Sequence, residues 1–364
     1  MVELFALAGV GCILISLGVP QLVQWRETSR KAQCVSNLRQ MGHALESYHT
    51  SYQALPAGYL PGGFKRLHTG GAEWPAETPS YCWAVFLLPY LDYEDIAAKL
   101  DPINISLKEA METPERLAIL RKPLAVFRCP SDLAGESFAT APIHPENRFL
   151  DKSKSRSREI IAGGTSSYVG SGGYFSLSLP LALGPESMFG LKPSLRANNG
   201  FFSVACSVRH QDITDGLSNT LAVGERAYFQ GSSTWVGVQD VKVEPTASIC
   251  LGRVYWRINE IPSEFWELPT PEFEFATPSK TFYVSRSECA KGGFSSYHVG
   301  GAYFLFADGA VRFLANNIDF HNTIHMVGKN PAEPIPEIGK LGVFQRLGIR
   351  NDGLPVTFNG TIEQ

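Results

Sequence analysis

Residues 4–25 (LFALAGVGCILISLGVPQLVQW) carry no charged side chain, and this run constrains the chain more than any other. A bilayer core of roughly 30 Å is crossed by about 20 consecutive apolar helical residues, so the run has the length of a membrane span. Charged residues then arrive together, as Arg26, Glu27, Arg30 and Lys31. Beyond them Leu38, Met41, Leu45, Tyr48 and Tyr52 recur at spacings of 3, 4, 3 and 4, which places them on one helix face. Gln40, Glu46 and Ser47 fall off that stripe. The pattern predicts one continuous helix, apolar all round in its first half and amphipathic in its second. At 1.5 Å per residue it would be roughly 75 Å long. The first half suits lipid. The second half has to lie against a folded domain, which divides the chain into a helix over 1–52 and a domain over 53–364.

Two residues in the uncharged half stand out. A carboxylate beside a lipid-facing run, such as Glu3, is costly unless paired, although a helix N-terminus also favours an anion. Pro20 removes a backbone donor and can kink the helix. A cleaved secretory signal fits poorly. It would need a basic start, an apolar stretch of roughly 7 to 15 residues and a small-x-small cleavage site.

The remainder reads as β-rich, because Gly 34 and Pro 24 supply turns while Phe 22 and Tyr 13 supply strand formers. A net charge of −3 with 18% charged residues points to neither nucleic acid nor an anionic membrane surface. Cys12 sits in the apolar run as a small apolar residue. The other six cysteines (Cys34, Cys82, Cys129, Cys206, Cys250, Cys289) are scattered without a Cys-x-x-Cys pair, which argues against a zinc site. Six cysteines allow 15 connectivities, and sequence does not choose among them.

In order, Leu55 to Gly63 break the helix. Residues 81–98 and 105–122 each read as a helix, and Val126 to Asp132 as a strand entering a turn. Residues 142–165 form a polar stretch whose Lys152, Lys154, Arg156 and Arg158 belong to a solvated loop. Thr165 to Gly170 and Thr220 to Val223 read as strands, the second after turn formers at Thr214-Asp215-Gly216. Residues 253–283 look like an elaborated loop. Tyr303 to Ala307 and Ala310 to Leu314 form a hairpin about Asp308-Gly309, with a type I′ turn expected. A helix is expected near 318–327, then a tail rich in Pro and Gly that packs as irregular strands or extends.

Catalytic constellations are sparse. His321 and His325 have metal-ligand spacing but lack the glutamate of a zinc-protease motif. His298 could converge with Asp308, Asp212 and Asp215 in an acid/base or cation site. Gly300-Gly301 does not lead into a helix, so a phosphate cradle is not expected. No Gly-x-Ser-x-Gly, P-loop or dinucleotide fingerprint occurs, and no spaced oxygen run calls for calcium. The residues therefore predict no enzyme, no cofactor and no metal.

Four segments carry a resemblance. They are Val2-Glu3-Leu4 through Pro20 to Gln33-Cys34-Val35-Ser36-Asn37-Leu38-Arg39-Gln40; Cys129-Pro130-Ser131-Asp132; Ile213-Thr214-Asp215-Gly216-x-Ser218-Asn219-Thr220 with Gly224-Glu225-Arg226; and His298-x-Gly300-Gly301 with Phe306 to Phe313. In series they resemble type IV pilin-like proteins. More narrowly, they resemble a pseudopilin-like family with a prepilin-type N-terminal cleavage and methylation segment and a large C-terminal domain of unknown function, abundant in planctomycete bacteria. The resemblance implies an α+β, pilin-like fold, with the long N-terminal helix packed on an antiparallel β-rich globular domain. It implies a structural subunit of a type IV pilus-like or type II secretion-like envelope assembly, with membrane lipid and other pilin-like subunits or their machinery as partners. Glu3 would register one subunit against the next, and Pro20 would break the helix. The other matching positions, whose role the family leaves unknown, are Cys34, Cys129, Asp132, Asp215, Gly216, Asn219, Glu225, His298, Gly300, Gly301, Asp308 and Gly309. Arg26, Arg30, Lys31 and Arg39 taken alone would hold the domain in the cytoplasm, whereas the resemblance places it in the periplasm or at the cell surface. The sequence opens at Met1, directly before Val2-Glu3, where relatives carry a short basic leader ending in glycine. Relatives also usually end with a Gly-Gly-Glu element, where this chain reads Asn330-Pro331-Ala332-Glu333-Pro334. The family domain has also carried a solute-binding label, so the alternative is a membrane-tethered extracytoplasmic ligand-binding domain or enzyme.

Overall fold

The computed structural model describes residues 2–59, 79–132, 140–142, 162–174, 199–203, 206–230, 233–238, 249–260, 273–277, 280–284, 292–321, 338–354 and 356. Side chains of residues 1–23, 140–142, 162, 273–284 and 338 lie outside that description. Glu3 and Pro20 therefore have a backbone path and no more, and Lys152 to Arg158, Cys289, His325 and 330–334 lie outside the described residues.

The N-terminal helix is continuous. α1 runs from Val2 to Tyr52. It stops where Gln53 takes a positive φ of 56° and donates its N–H to the carbonyl of His49 at 2.7 Å. Leu38, Met41 and Leu45 are buried, together with Cys34, Asn37 and Ala44. The predicted stripe is thus the buried face, and burying each large apolar side chain contributes about 1.5–3 kcal/mol. The stripe thins at its end, where Tyr52 is 58% exposed and its ring packs on Tyr48 of the same helix. Among the residues whose side chains are described, no helix is long and apolar enough to cross a membrane, and the uncharged run lies almost wholly before them.

The strands are β1 (Ser80–Tyr81), β2 (Thr140–Pro142), β3 (Ala162–Ser166), β4 (Tyr168–Ser171), β5 (Leu221–Glu225), β6 (Ser233–Thr234), β7 (Gly237–Val238), β8 (Leu251–Gly252), β9 (Phe273–Thr277), β10 (Lys280–Val284), β11 (Gly301–Phe306) and β12 (Val311–Ala315). The main sheet has five strands in the order β12-β11-β5-β4-β8. Its pairs are antiparallel except β4 with β8. The period-2 alternation of β11 divides two cores. Tyr303 and Leu305 face the core that holds the α1 stripe, Trp83 and Phe127. Ala302, Phe304 and Phe306 face a second core with Phe294, Leu341, Phe344 and Leu347. A helix thus covers one face, and a short C-terminal helix, Val343–Leu347, closes the other.

Several local expectations are corrected. The segment at 81–98 is two helices, Trp83–Leu87 and Glu94–Leu100, split by a 3₁₀ turn at Leu88–Tyr90 and by Asp92 at φ 62°. Pro114 divides the next into Leu107–Glu112 and Pro114–Leu120. Its ring cannot continue the preceding helix but suits the first position of a new one. Ala125–Phe127 is a 3₁₀ turn rather than a strand. Residues 253–283 include a hairpin, β9 with β10. Ile318 to Phe320 are not helical, and the described part of the tail holds a 3₁₀ turn at Ile338–Lys340 and a helix at Val343–Leu347. In the β11–β12 hairpin only Gly309 has a positive φ, 83°, and its N–H bonds the Phe306 carbonyl at 3.0 Å. That is a type I turn followed by a left-handed glycine, not a type I′ turn.

Gly224 of β5 lies under two aromatic rings. A Cβ there would stand 2.5 Å from Phe294 and 2.6 Å from Phe304. These rings interlock with each other and with Phe344, so neither can withdraw freely. Gly224→Ala is expected to lower stability by about 1–3 kcal/mol, read as a lower urea midpoint with an unchanged slope.

Candidate functional site

His298 precedes β11 and is held by its own N–H, which donates to Ser296 Oγ at 3.1 Å. Its imidazole is fully buried between two carboxylates. Nδ1 lies 2.8 Å from Glu27 Oε1, and Glu27 belongs to α1. Nε2 lies 3.3 Å from Glu225 Oε1 at the end of β5. Nε2 also stands 3.6 Å from Cys129 Sγ. Cys129 forms a disulfide with Cys34 of α1, across a Cα–Cα distance of 5.2 Å.

Each member is positioned by a neighbour. Glu225 Oε2 accepts the Tyr303 N–H at 2.8 Å. Its Oε1 is buried with no hydrogen-bond partner among the described residues and meets His298 only as an ion pair. Ser131 Oγ donates toward both Glu27 oxygens at 3.3 Å. Asn37 donates to the Arg128 carbonyl at 2.9 Å, next to the disulfide. Asp132 accepts from Ser167 Oγ at 2.8 Å and from the Tyr228 N–H at 3.4 Å. Arg226 follows Glu225, and its buried guanidinium donates to the carbonyls of Gly292 and Gly293, just ahead of His298. Burial pulls that guanidinium down to about 9.

Burial alone would lower the His298 pKa. The carboxylates of Glu225 and then Glu27 outweigh it and raise the imidazole above its ordinary 6.5. The protonated ring hydrogen-bonds Glu27 through Nδ1 and forms an ion pair with Glu225 through Nε2. The cluster can therefore clamp α1 to the turn after Phe127 by a covalent bond, and to the end of β5 through a buried cation that faces Glu27 and Glu225.

The matching segments split into two groups. Cys34, Cys129, Asp132, Glu225 and His298 assemble here, with Gly300 and Gly301 leading into β11. Gly300 has φ 89°. Asp215, Gly216, Asn219, Asp308 and Gly309 lie in a second group. Asp308 pairs with Arg312 at 2.8 Å, and Arg312 donates to the Ser218 carbonyl at 2.8 Å. Asp215 accepts the N–H groups of Asp352 and Gly353 at 2.7 and 2.9 Å. Asn219 donates back to the Asp215 carbonyl at 3.0 Å, and Gly216 has φ 93°. The convergence of His298 with Asp308, Asp212 and Asp215 is not formed. Asp308 and Asp215 anchor turns, and Asp212 pairs with Arg209 at 3.3 Å. His321 meets Asp319 at 3.3 Å.

Glu27 was not foreseen as a site residue. Its signal was the helical stripe itself, since Glu27, Cys34, Met41 and Tyr48 recur every seven residues on the docked face. A separate cleft of about 310 Å³ lies between α1 and the β11–β12 turn, lined in part by Arg39, His43, Glu46, His210 and Asp308.

A family model described as "Protein of unknown function (DUF1559)" matches residues 24–321. The chain belongs to this family. The match begins where the uncharged run ends and contains every member of the His298 cluster. No curated protein matches the chain, and no solved structure does.

Two outcomes follow from the cluster. The disulfide closes a sequence separation of 95 residues, so Cys34→Ser is expected to cost about 2–5 kcal/mol in chemical denaturation. The raised His298 pKa means that the folded state binds a proton that the unfolded chain releases. Its stability contribution is full below about 6.5, the unfolded value, and is lost as pH rises through the raised folded pKa. Urea midpoints taken across that range should fall with pH, and His298→Gln should flatten the slope.

Proposed function

We propose that the protein is a pseudopilin-like structural subunit of a type IV pilus-like or type II secretion-like envelope assembly. The uncharged half of α1 sits in lipid, and the β-rich domain lies outside the cytoplasm. The role is association rather than catalysis. The observation that carries this reading is the way α1 is divided. It is one unbroken helix from Val2 to Tyr52, and from Glu27 onward it is bound to the domain by a disulfide to the turn that follows Phe127 and by an ion triad centred on the buried His298. A helix so firmly held has no need of its uncharged first half for folding the domain, which leaves that half available to lipid and neighbouring subunits. A disulfide at the joint also suits an oxidising compartment. Glu3 would then pair with a neighbouring subunit's N-terminus, since a lone carboxylate in lipid is costly.

The test is chemical cross-linking of the full-length protein in its own membranes, beside Glu3→Ala. Multi-subunit ladders that collapse to monomer in Glu3→Ala are expected. Wild-type monomers, or ladders indifferent to Glu3, would sink the reading. In that event the Arg39- and His210-lined cleft supports the other one, a tethered extracytoplasmic ligand-binding domain.

A further inference from the structure

We propose that Cys34, Cys129, His298 and Glu225 form a closed metal site, suited to Zn²⁺, whenever the Cys34–Cys129 disulfide is reduced. One donor atom from each of the four lies within 4.8 Å of the others, and all four residues are buried. Zinc holds thiolate sulfur at about 2.3 Å and imidazole nitrogen or carboxylate oxygen at about 2.0–2.2 Å. The edges of such a tetrahedron are therefore about 3.6 Å from sulfur to nitrogen and about 3.4 Å from nitrogen to oxygen. His298 Nε2 already stands 3.6 Å from Cys129 Sγ and 3.3 Å from Glu225 Oε1. Two edges of the coordination polyhedron are in place before any ion arrives, and the sulfur pair separates once its bond is cut.

The supporting contacts are also those a metal site requires. A ligating histidine commonly donates its other ring N–H to a carboxylate, which fixes the tautomer and aims the free nitrogen at the ion. His298 does this through Nδ1 and Glu27 at 2.8 Å. Glu225 is fixed through Oε2 by the Tyr303 N–H, and Oε1, buried without a hydrogen bond among the described residues, points into the cluster. Three anionic ligands and a neutral imidazole favour a dication with affinity for sulfur over calcium or magnesium. With four protein ligands and no open position, the site is structural rather than catalytic. Its ligands come from four separate segments, so only the folded chain can bind. The inference stands on the cluster and does not depend on the membrane reading.

The chemistry balances as follows. A phosphine reductant gives two electrons to the disulfide and becomes its oxide, taking the oxygen from water, and the two sulfurs take up the two protons of that water. Zn²⁺ then displaces both thiol protons, together with the Nε2 proton of His298 where the ring is charged. A small-molecule disulfide restores the S–S bond by thiol–disulfide exchange: it takes the two electrons, leaves as two thiols with two protons from water, and the loss of both thiolate ligands releases the ion. α1 is tied to the domain in either state, by the covalent bond to Cys129 or through the metal.

The experiment titrates Co²⁺, as a coloured stand-in for Zn²⁺, into the full-length protein in detergent, oxidised or reduced with a phosphine and kept free of oxygen. The reduced protein should take up one ion with thiolate-to-cobalt charge-transfer bands and a tetrahedral visible spectrum, discharged by Zn²⁺. The oxidised protein should show neither. Cys129→Ser, His298→Gln and Glu225→Gln should each abolish or alter that spectrum, with folding of the last two checked in their oxidised form. Glu27→Gln should keep the spectrum and weaken binding about 10–100-fold. Absence of the thiolate spectrum in the reduced wild type would overturn the proposal. So would a spectrum that survives Cys129→Ser or is unchanged in both His298→Gln and Glu225→Gln, since the ion would then sit elsewhere, for instance on the buried free thiols of Cys82 and Cys250.

Discussion

An imidazole buried between two carboxylates is the interaction on which this architecture depends. Taking the His298 ring and the Glu225 carboxylate out of water is expensive, and the expense is met only when they are paired with each other and with the half-buried Glu27. Glu27 comes from α1, Glu225 from the middle of the sheet and His298 from the approach to β11. Removing His298 leaves the Glu225 carboxylate buried without its cation. The disulfide beside it fixes α1 covalently, while the ion triad fixes which face of α1 meets the sheet. The apolar stripe would tolerate sliding by a turn; Glu27 would not.

The second group of motif residues is built differently. Asp215, Asn219, Asp308 and Arg312 satisfy backbone groups of turns and of the segment at 350–353. They hold the far end of the sheet and its C-terminal cover. Shared sequence motifs therefore serve two structural ends here, and only the first brings reactive atoms together.

Periodicity made the long helix and its buried face legible, because the seven-residue recurrence runs unbroken through Cys34, Met41 and Tyr48. The hairpin about Asp308-Gly309 was legible for the same local reason. Its turn type was not, since Asp-Gly serves both a type I′ turn and a type I turn with a left-handed glycine. Pro114 and Asp92 broke helices that apolar content alone had joined. The cluster at His298 was visible only as scattered motif residues. Its members are separated by up to 271 positions, and nothing local in a sequence says which carboxylate a histidine will meet. The proximity of Cys34 to Cys129 was hidden on the same ground, because 95 residues separate them.

The spread of the joint along the chain also sets an order of events. Glu27 and Cys34 are made first, Cys129 next, and His298 only near the end. α1 cannot complete its docking until most of the polypeptide exists, and contacts this distant in sequence form slowly. Leu38, Met41 and Leu45 can pack early on Trp83 and Phe127, which share their core, whereas Glu27 has to wait for His298.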